Sequence, residues 1–404
     1  MEQGAGRACY DRAEEIRPEN SGLFLAPDTR RIRRTLRTAR SEPVTVPVPV
    51  SNSSDSTIPV QERHRFDTSA LEAWLSKNVD GFRGPLTVEQ FKGGQSNPTY
   101  RLTAASGRYV MRSKPAPKEK LLPSAHAIER EFRVMRALAG TGIPVARMHA
   151  LCEDESVIGR AFFIMENVEG RVFWEQSLPG LAPAERAAIY DEMNRVVAAL
   201  HAVDYAAIGL ADYGKPGNYF ARQIGRWSRQ YQASETEVIP AMNELIAWLP
   251  GAVPAGDETS IVHGDYRMDN LIFHPAEPRV SAILDWELST LGHPLADFSY
   301  HCMSFHIPPE RFRGIAGLDL KALGIPSEAE HVAAYCRRTG RERIEHWNFY
   351  LAYNMFRIAA ILQGVMKRAV EGIASSVEAL DAGKRARPLA ELGWEYAQRA
   401  MKER

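Results

Sequence analysis

Cysteine is scarce and scattered. The 404 residues hold four, Cys9, Cys152, Cys302 and Cys336, with no spacing that would clamp a metal or build a disulfide framework. A reducing, cytoplasmic setting is the expectation. Charge of one sign is missing too: 50 Lys and Arg balance 50 Asp and Glu. Nothing in that balance calls for nucleic acid or an anionic membrane surface as partner. No apolar run approaches the roughly 20 residues of a spanning helix, and the first twenty residues lack the apolar core of a secretory signal. What is present is ordinary globular composition, 45% hydrophobic and 25% charged, in a chain long enough for two lobes.

Residues 1–65 differ from the rest. Arg30, Arg31, Arg33, Arg34, Arg37 and Arg40 lead into VPVPVSNSSDSTIPV, which has linker composition. The expectation is a disordered tail or a start assigned too early, with order beginning near Phe66. Asp67 or Thr68 then caps a helix carrying Leu71, Trp74 and Leu75 on one side. From Leu86 to about Val168 short strands are interrupted by one helix. After Pro183 the pattern is mostly helical, broken by apolar runs at TSIVHGDY, NLIF and VSAILDWE. The fold expected is α+β with two lobes: a small mixed lobe over 66–168 and a larger helical one over 169–404.

Two segments carry the chemistry. Ile261–Phe273 reads IVHGDYRMDNLIF, and Ala282–Glu287 reads AILDWE. Asp265 lies five residues before Asn270, and Asp285 fifteen after it. Phosphoryl transfer needs such a set: a carboxylate to orient an attacking hydroxyl and oxygen ligands to hold Mg²⁺ against phosphates. A hairpin-like return from NLIF to AILDW would bring these groups together. The bland alternative is a loop whose Asp and Asn cap turns; HGD alone would not exclude it, but the joined pattern does.

From about Phe91 to Tyr300 the chain resembles the aminoglycoside phosphotransferase and choline kinase superfamily, distant relatives of protein kinases. The resemblance implies a protein-kinase-like fold using ATP and Mg²⁺, with Asp265 as catalytic base and Asn270 and Asp285 as metal ligands. Trp286-Glu287 follows Asp285 where protein kinases have Phe-Gly.

The same comparison interprets the first lobe. FKGGQSNPTY, at 91–100, would be a phosphate-covering loop, in which Gly93 and Gly94 let backbone amides approach phosphate oxygens and Ser96 or Asn97 add donors. A plain hairpin turn is the alternative. On the strand RYVMRSK, Arg112 stands where protein kinases carry a phosphate-gripping Lys, with Lys114 on the same strand face; Arg can serve through bidentate contacts. In the helix from His126 to Ala139, Glu131 falls inside the apolar face of Ile128, Phe132, Met135 and Leu138. A buried carboxylate needs a cation, and the resemblance makes Glu131 the brace of Arg112. FFIMENVEG, at 162–170, would be the hinge between lobes, Glu166 to Val168 meeting the nucleotide base through backbone groups. His201 is expected to be structural, and Asp297 to brace the catalytic region without binding metal.

The acceptor is less legible. Phe220, Ile224, Trp227 and Tyr231 form a helical stripe, and Arg222, Arg226 and Arg229 line another face. Those arginines are either a solvated basic side or a site for an anionic small molecule. GKPGNYFARQIGRWSRQY, GRVFWEQSLPGL and ELSTLGHPLADFSY resemble the branch of kinase-like domains fused to acyl-CoA dehydrogenases in animals. That implies a hydroxyacyl-CoA or hydroxy acid acceptor, chiefly a 4-hydroxy acid. An aminoglycoside 3'-type phosphotransferase and a non-catalytic nucleotide-binding protein are the alternatives.

Overall fold

The computed structural model describes residues 57–92, 97–115, 127–372 and 379–403. The first lobe is a six-stranded antiparallel sheet, in the order β1-β2-β3-β4-β6-β5. Its strands are β1 (Thr57–Ile58), β2 (Thr87–Phe91), β3 (Thr99–Ala104), β4 (Gly107–Ser113), β5 (Met148–Cys152) and β6 (Phe162–Glu166). Helix α1 (Thr68–Asn78) covers one face and α2 (Ile128–Leu138) the other. Asp67 caps α1 through Oδ1, which accepts from the amides of Ser69 and Ala70 at 2.9 and 3.0 Å. The first element lies before Phe66: β1 pairs with β2, and the buried Arg160 guanidinium donates to the carbonyls of His64 and Arg65 at 3.0 and 3.1 Å.

Strand alternation explains how one sheet serves two layers. Tyr109 and Met111 face the α1 side with Leu71, Leu75 and Tyr100, while Val110 faces the other core with Phe132 and Phe163. Arg112, two residues after Val110, therefore shares the face that looks toward α2 and the second lobe. In β6 every residue from Phe162 to Met165 is buried, as a central strand covered on both faces requires.

The second lobe carries helices α3 (Pro183–His201), α4 (Tyr219–Ser234) and α5 (Pro240–Ala252). Two small ribbons follow: β7 (Ser260–Val262) pairs with β10 (Thr290–Gly292), and β8 (Leu271–Phe273) pairs with β9 (Val280–Ile283). Seven helices complete it: α6 (Pro294–Cys302), α7 (Pro309–Phe312), α8 (Leu320–Leu323), α9 (Glu328–Thr339), α10 (Trp347–Val370), α11 (Ala379–Gly383) and α12 (Ala386–Lys402). Helix α10 is the axis: from Phe349 to Ala360 every residue is buried, the mark of a helix surrounded on all sides. Helix α12 comes close to it because Gly393 is small; a Cβ there would stand 3.0 Å from the Met355 Cβ.

Candidate active site

The loop after β7 is fixed by its neighbours before any ligand arrives. Gly264 has φ +83°, and a Cβ there would stand 2.7 Å from the Leu288 carbonyl oxygen, so glycine is required. The buried Asp297 carboxylate accepts the backbone N–H groups of His263 and Gly264 at 2.7 and 2.8 Å. His201 stands behind it, 3.4 Å from Asp297 through Nε2 and 2.8 Å from the Tyr335 hydroxyl through Nδ1. On the opposite side, buried Arg357 of α10 donates to the Gly264 carbonyl at 2.5 Å.

That loop presents Asp265 between three donors. Its Oδ1 accepts the Tyr300 hydroxyl at 2.5 Å, and Oδ2 accepts from Asn270 Nδ2 at 2.9 Å and Arg267 Nε at 3.2 Å. Burial, together with the neighbouring Asp265 carboxylate, drives the Tyr300 hydroxyl to hold its proton far above the ordinary tyrosine range, so it remains a donor. Asn270 spends both amide hydrogens on Asp265, on the carboxylate and on its backbone carbonyl, each at 2.9 Å. Its Oδ1 carries no hydrogen that could be spent in the same way and remains a hard oxygen donor.

The β8–β9 hairpin delivers the second carboxylate. The Leu284 amide donates to the Asn270 carbonyl at 2.8 Å, tying the end of one strand to the start of the other. Asp285 follows in a left-handed conformation, φ 65° and ψ 60°. A non-glycine residue held there carries backbone strain of a kind that collects at functional sites.

Arg112 links this hairpin to the first lobe. Its Nη2 donates to Asp285 Oδ1 at 2.8 Å and to Glu287 Oε2 at 3.4 Å, while Nε lies 3.0 Å from Glu131 Oε2. Burial alone would weaken the protonated guanidinium, but the Glu131, Asp285 and Glu287 carboxylates hold it more firmly charged than an ordinary Arg. Glu131 is 2% exposed and also accepts from Asn97 Nδ2 at 3.1 Å. Burial pushes its carboxyl up to about 6, against the pull of Arg112. Lys114 pairs with Glu129 at 2.5 Å instead of joining this cluster.

Below the sheet a cavity of about 150 Å³ opens between the lobes. Val110, Met165 and Phe91 close it from the first lobe and Ile272 and Leu284 from the second, with Glu166 and Val168 at its edge. A mostly apolar cavity of that size between the lobes suits a small ring system.

The remaining site candidates are dispersed. Gly93, Gly94 and Ser96 lie outside the described residues. Arg222 donates to the carbonyls of Gly217 and Lys215, closing the loop that leads into α4. Arg226 and Arg229 are exposed, and Arg226 stacks 5.2 Å from the Trp227 ring centroid. Sequence reasoning passed over Tyr300, Arg267 and Arg357. Tyr300 and Arg357 come from helices remote in sequence, and Arg267, two residues after Asp265, was the one with a local signal. Among the described residues no three His, Cys, Asp or Glu side chains gather as a metal cage; a cation here would rest on Asn270, Asp285 and the oxygens of a substrate.

The profile of the phosphotransferase enzyme family matches residues 87–335. Acyl-CoA dehydrogenase family member 10 of Mus musculus is 48% identical over 346 residues, 85% of this chain and 32% of that protein. The chain thus spans about a third of that relative's length. A crystal structure from Ralstonia eutropha, provisionally described as an aminoglycoside phosphotransferase, is 68% identical, covers 83% of this chain and 99% of its own, and superposes with a TM-score of 0.76. A thermostable variant of an aminoglycoside phosphotransferase, in ternary complex with ADP and hygromycin B, is 15% identical over 80% of this chain and 99% of its own. Its TM-score of 0.53 shows a shared fold and no more.

Proposed function

The chain belongs to the phosphotransferase enzyme family, and from that premise we propose that it moves the γ-phosphoryl group of ATP, with Mg²⁺, onto a hydroxyl of a small metabolite, a hydroxyacyl-CoA or a hydroxy acid. The observation that carries this reading is the placement of Asp265. Three donors fix the carboxylate, two at Oδ2 and one at Oδ1, which leaves a lone pair on Oδ1 to take a proton. The acceptor oxygen would bond to the γ-phosphorus as the bond to the leaving ADP oxygen breaks, its proton passing to Asp265.

The other groups have corresponding roles in this reading. Arg112, braced by Glu131, which Asn97 holds in turn, grips the α- and β-phosphates. The adenine ring enters the slot between Val110 and Leu284 and meets backbone groups between Glu166 and Val168. Asn270 Oδ1 and Asp285 are the metal ligands, and the donor set fits: both are hard oxygen donors, and the carboxylates beside them outnumber the guanidinium that joins them. Bound there, Mg²⁺ would neutralise charge on the phosphate oxygens. Arg226 and Arg229, with Arg222 beside them, offer outer contacts for an anionic acceptor.

The test is an acceptor screen with ATP and Mg²⁺ over hydroxyacyl-CoAs, hydroxy acids and aminoglycosides. The proposal expects phosphorylated product from the first two classes alone. Product only from aminoglycosides would overturn the acceptor, and no nucleotide turnover at all would leave a nucleotide-binding protein.

A further inference from the structure

The buried stretch of α10 from Phe349 to Ala360 contains an arginine. Arg357 is 6% exposed, and among the described residues no carboxylate ion-pairs with it. A buried guanidinium without a directly paired anion is among the most costly groups a core can hold. An apolar side chain of the same length would pack α10 at lower cost. Packing alone therefore does not account for the arginine.

The guanidinium reaches three elements besides its own helix. Nη2 donates to the Gly264 carbonyl at 2.5 Å. Its Cζ lies 5.1 Å from the Tyr300 ring centroid of α6 and 5.6 Å from the Trp227 ring centroid of α4. Aromatic faces attract a cation and seat it away from water. Trp227 belongs to the GRWSRQY stretch of the sequence, and the contact gives it a use beyond the apolar stripe. Gly264 is held at both ends, its N–H by the Asp297 carboxylate and its carbonyl by Arg357. Asp265 is the next residue, and the Tyr300 hydroxyl donates to its Oδ1. Arg357 thus reaches the Asp265 side chain by two routes, through the peptide before it and through the ring that hydrogen-bonds it.

Burial works against the charge, yet Tyr353, Tyr300, Tyr219 and Asp265 around it hold the guanidinium more firmly protonated than an ordinary Arg. Burial also keeps the three phenols neutral by pushing each of them up. Asp265 is the one anion of that set, so the cation and the carboxylate balance each other across Gly264 and Tyr300. Given the phosphotransferase reading, on which this rests, we propose that Arg357 is a positioning residue for the transfer step. Its charge, rather than its bulk, fixes the Gly264 carbonyl and the Tyr300 ring and through them aims the Asp265 carboxylate. It makes no hydrogen bond to the carboxylate itself, so its loss leaves the catalytic group present and poorly aimed.

The test uses the full chain with ATP, Mg²⁺ and a 4-hydroxy acid or its CoA ester, in Arg357→Met and Arg357→Lys. The first keeps the reach of the side chain and removes its charge and its donors. Its kcat should fall by about ten- to a hundredfold, with the nucleotide KM unchanged. Arg357→Lys returns the charge to its aromatic seat and should recover most of that loss. Amide hydrogen exchange over residues 262–266 should quicken at least about tenfold in Arg357→Met while α1 keeps the parent rate. A merely structural arginine would instead lower Tm and quicken exchange in every element, with the kcat of the folded enzyme intact. Parent kcat in Arg357→Met, or an equal loss in Arg357→Lys, would overturn the assignment. If Arg357→Met does not fold, Trp227→Leu decides, since it withdraws one side of the seat. It should lower kcat about threefold or more and quicken exchange over the same residues; parent values of both would overturn the proposal. No turnover by the parent with either acceptor would count against the phosphotransferase reading alone. The exchange measurement then decides by itself, and parent-like exchange over 262–266 in Arg357→Met would overturn the role of Arg357.

Discussion

At the scale of single residues, the carboxylate of Asp265 is defined by what surrounds it. Tyr300 engages one oxygen, Asn270 and Arg267 the other, so the side chain has one orientation. Removing the Tyr300 hydroxyl should free Oδ1 to rotate. Tyr300→Phe is expected to lower kcat by about tenfold, the size of one charge-assisted hydrogen bond, with the nucleotide KM unchanged; steady-state kinetics checks this. Much of this site was legible beforehand. Asp265, Asn270 and Asp285 sit in one motif because a short loop and a hairpin bring them together locally. Glu131 could be found because a carboxylate on an apolar helical face demands a cation, and Arg112 meets it at 3.0 Å. Tyr300 and Arg357 were invisible for the converse reason: each reaches the loop from a helix whose own pattern is explained by core packing.

At the scale of elements, the sequence makes α4 an amphipathic helix and leaves two readings for its arginines. The apolar stripe is buried as expected, with Phe220 against Tyr353 of α10 at 4.9 Å between ring centroids. The basic face is not uniform, since Arg222 closes its own N-terminal loop. A substitution at Arg222 would therefore disturb the helix start as well as any ligand. The informative change is Arg226→Gln with Arg229→Gln, at exposed positions where stability should move by less than about 0.5 kcal/mol. If these residues meet the phosphates of a CoA ester, its KM should rise at least tenfold while that of the free acid is unaltered. Equal KM values in variant and parent would make this a solvated face. The helical period gave the stripe; it could not assign partners to a cation on the far side.

At the scale of the whole molecule, three buried histidines tie stability to pH. Burial lowers His293 and His301 to about 4 and His331 well below its ordinary value, with His301 and His331 in contact at 3.0 Å. The unfolded chain binds these protons at a higher pH than the folded one, so stability present above about 6.5 is lost as pH falls toward 4. Tm should drop steadily across that window, more shallowly in His301→Gln, and a flat Tm between pH 6.5 and 4.5 would contradict it. The N-terminal boundary gives a second global test. Sequence composition set the start of order near Phe66, yet two paired residues and the carbonyls of His64 and Arg65 belong to the first lobe. Composition could not reveal this, because short segments held by backbone hydrogen bonds have no apolar signature. Deleting residues 1–56 should leave Tm within about 2 °C, whereas deleting 1–65 strands the buried Arg160 and should lower it by about 4 °C or more. The central claim, phosphoryl transfer directed by Asp265, is tested most directly by ³¹P NMR of the full chain with ATP, Mg²⁺ and a hydroxyacyl-CoA or hydroxy acid. A new phosphate monoester resonance should grow with the parent and form about 10²–10⁴-fold more slowly with Asp265→Asn of equal Tm; an ester that forms at the parent rate in that variant would contradict the account.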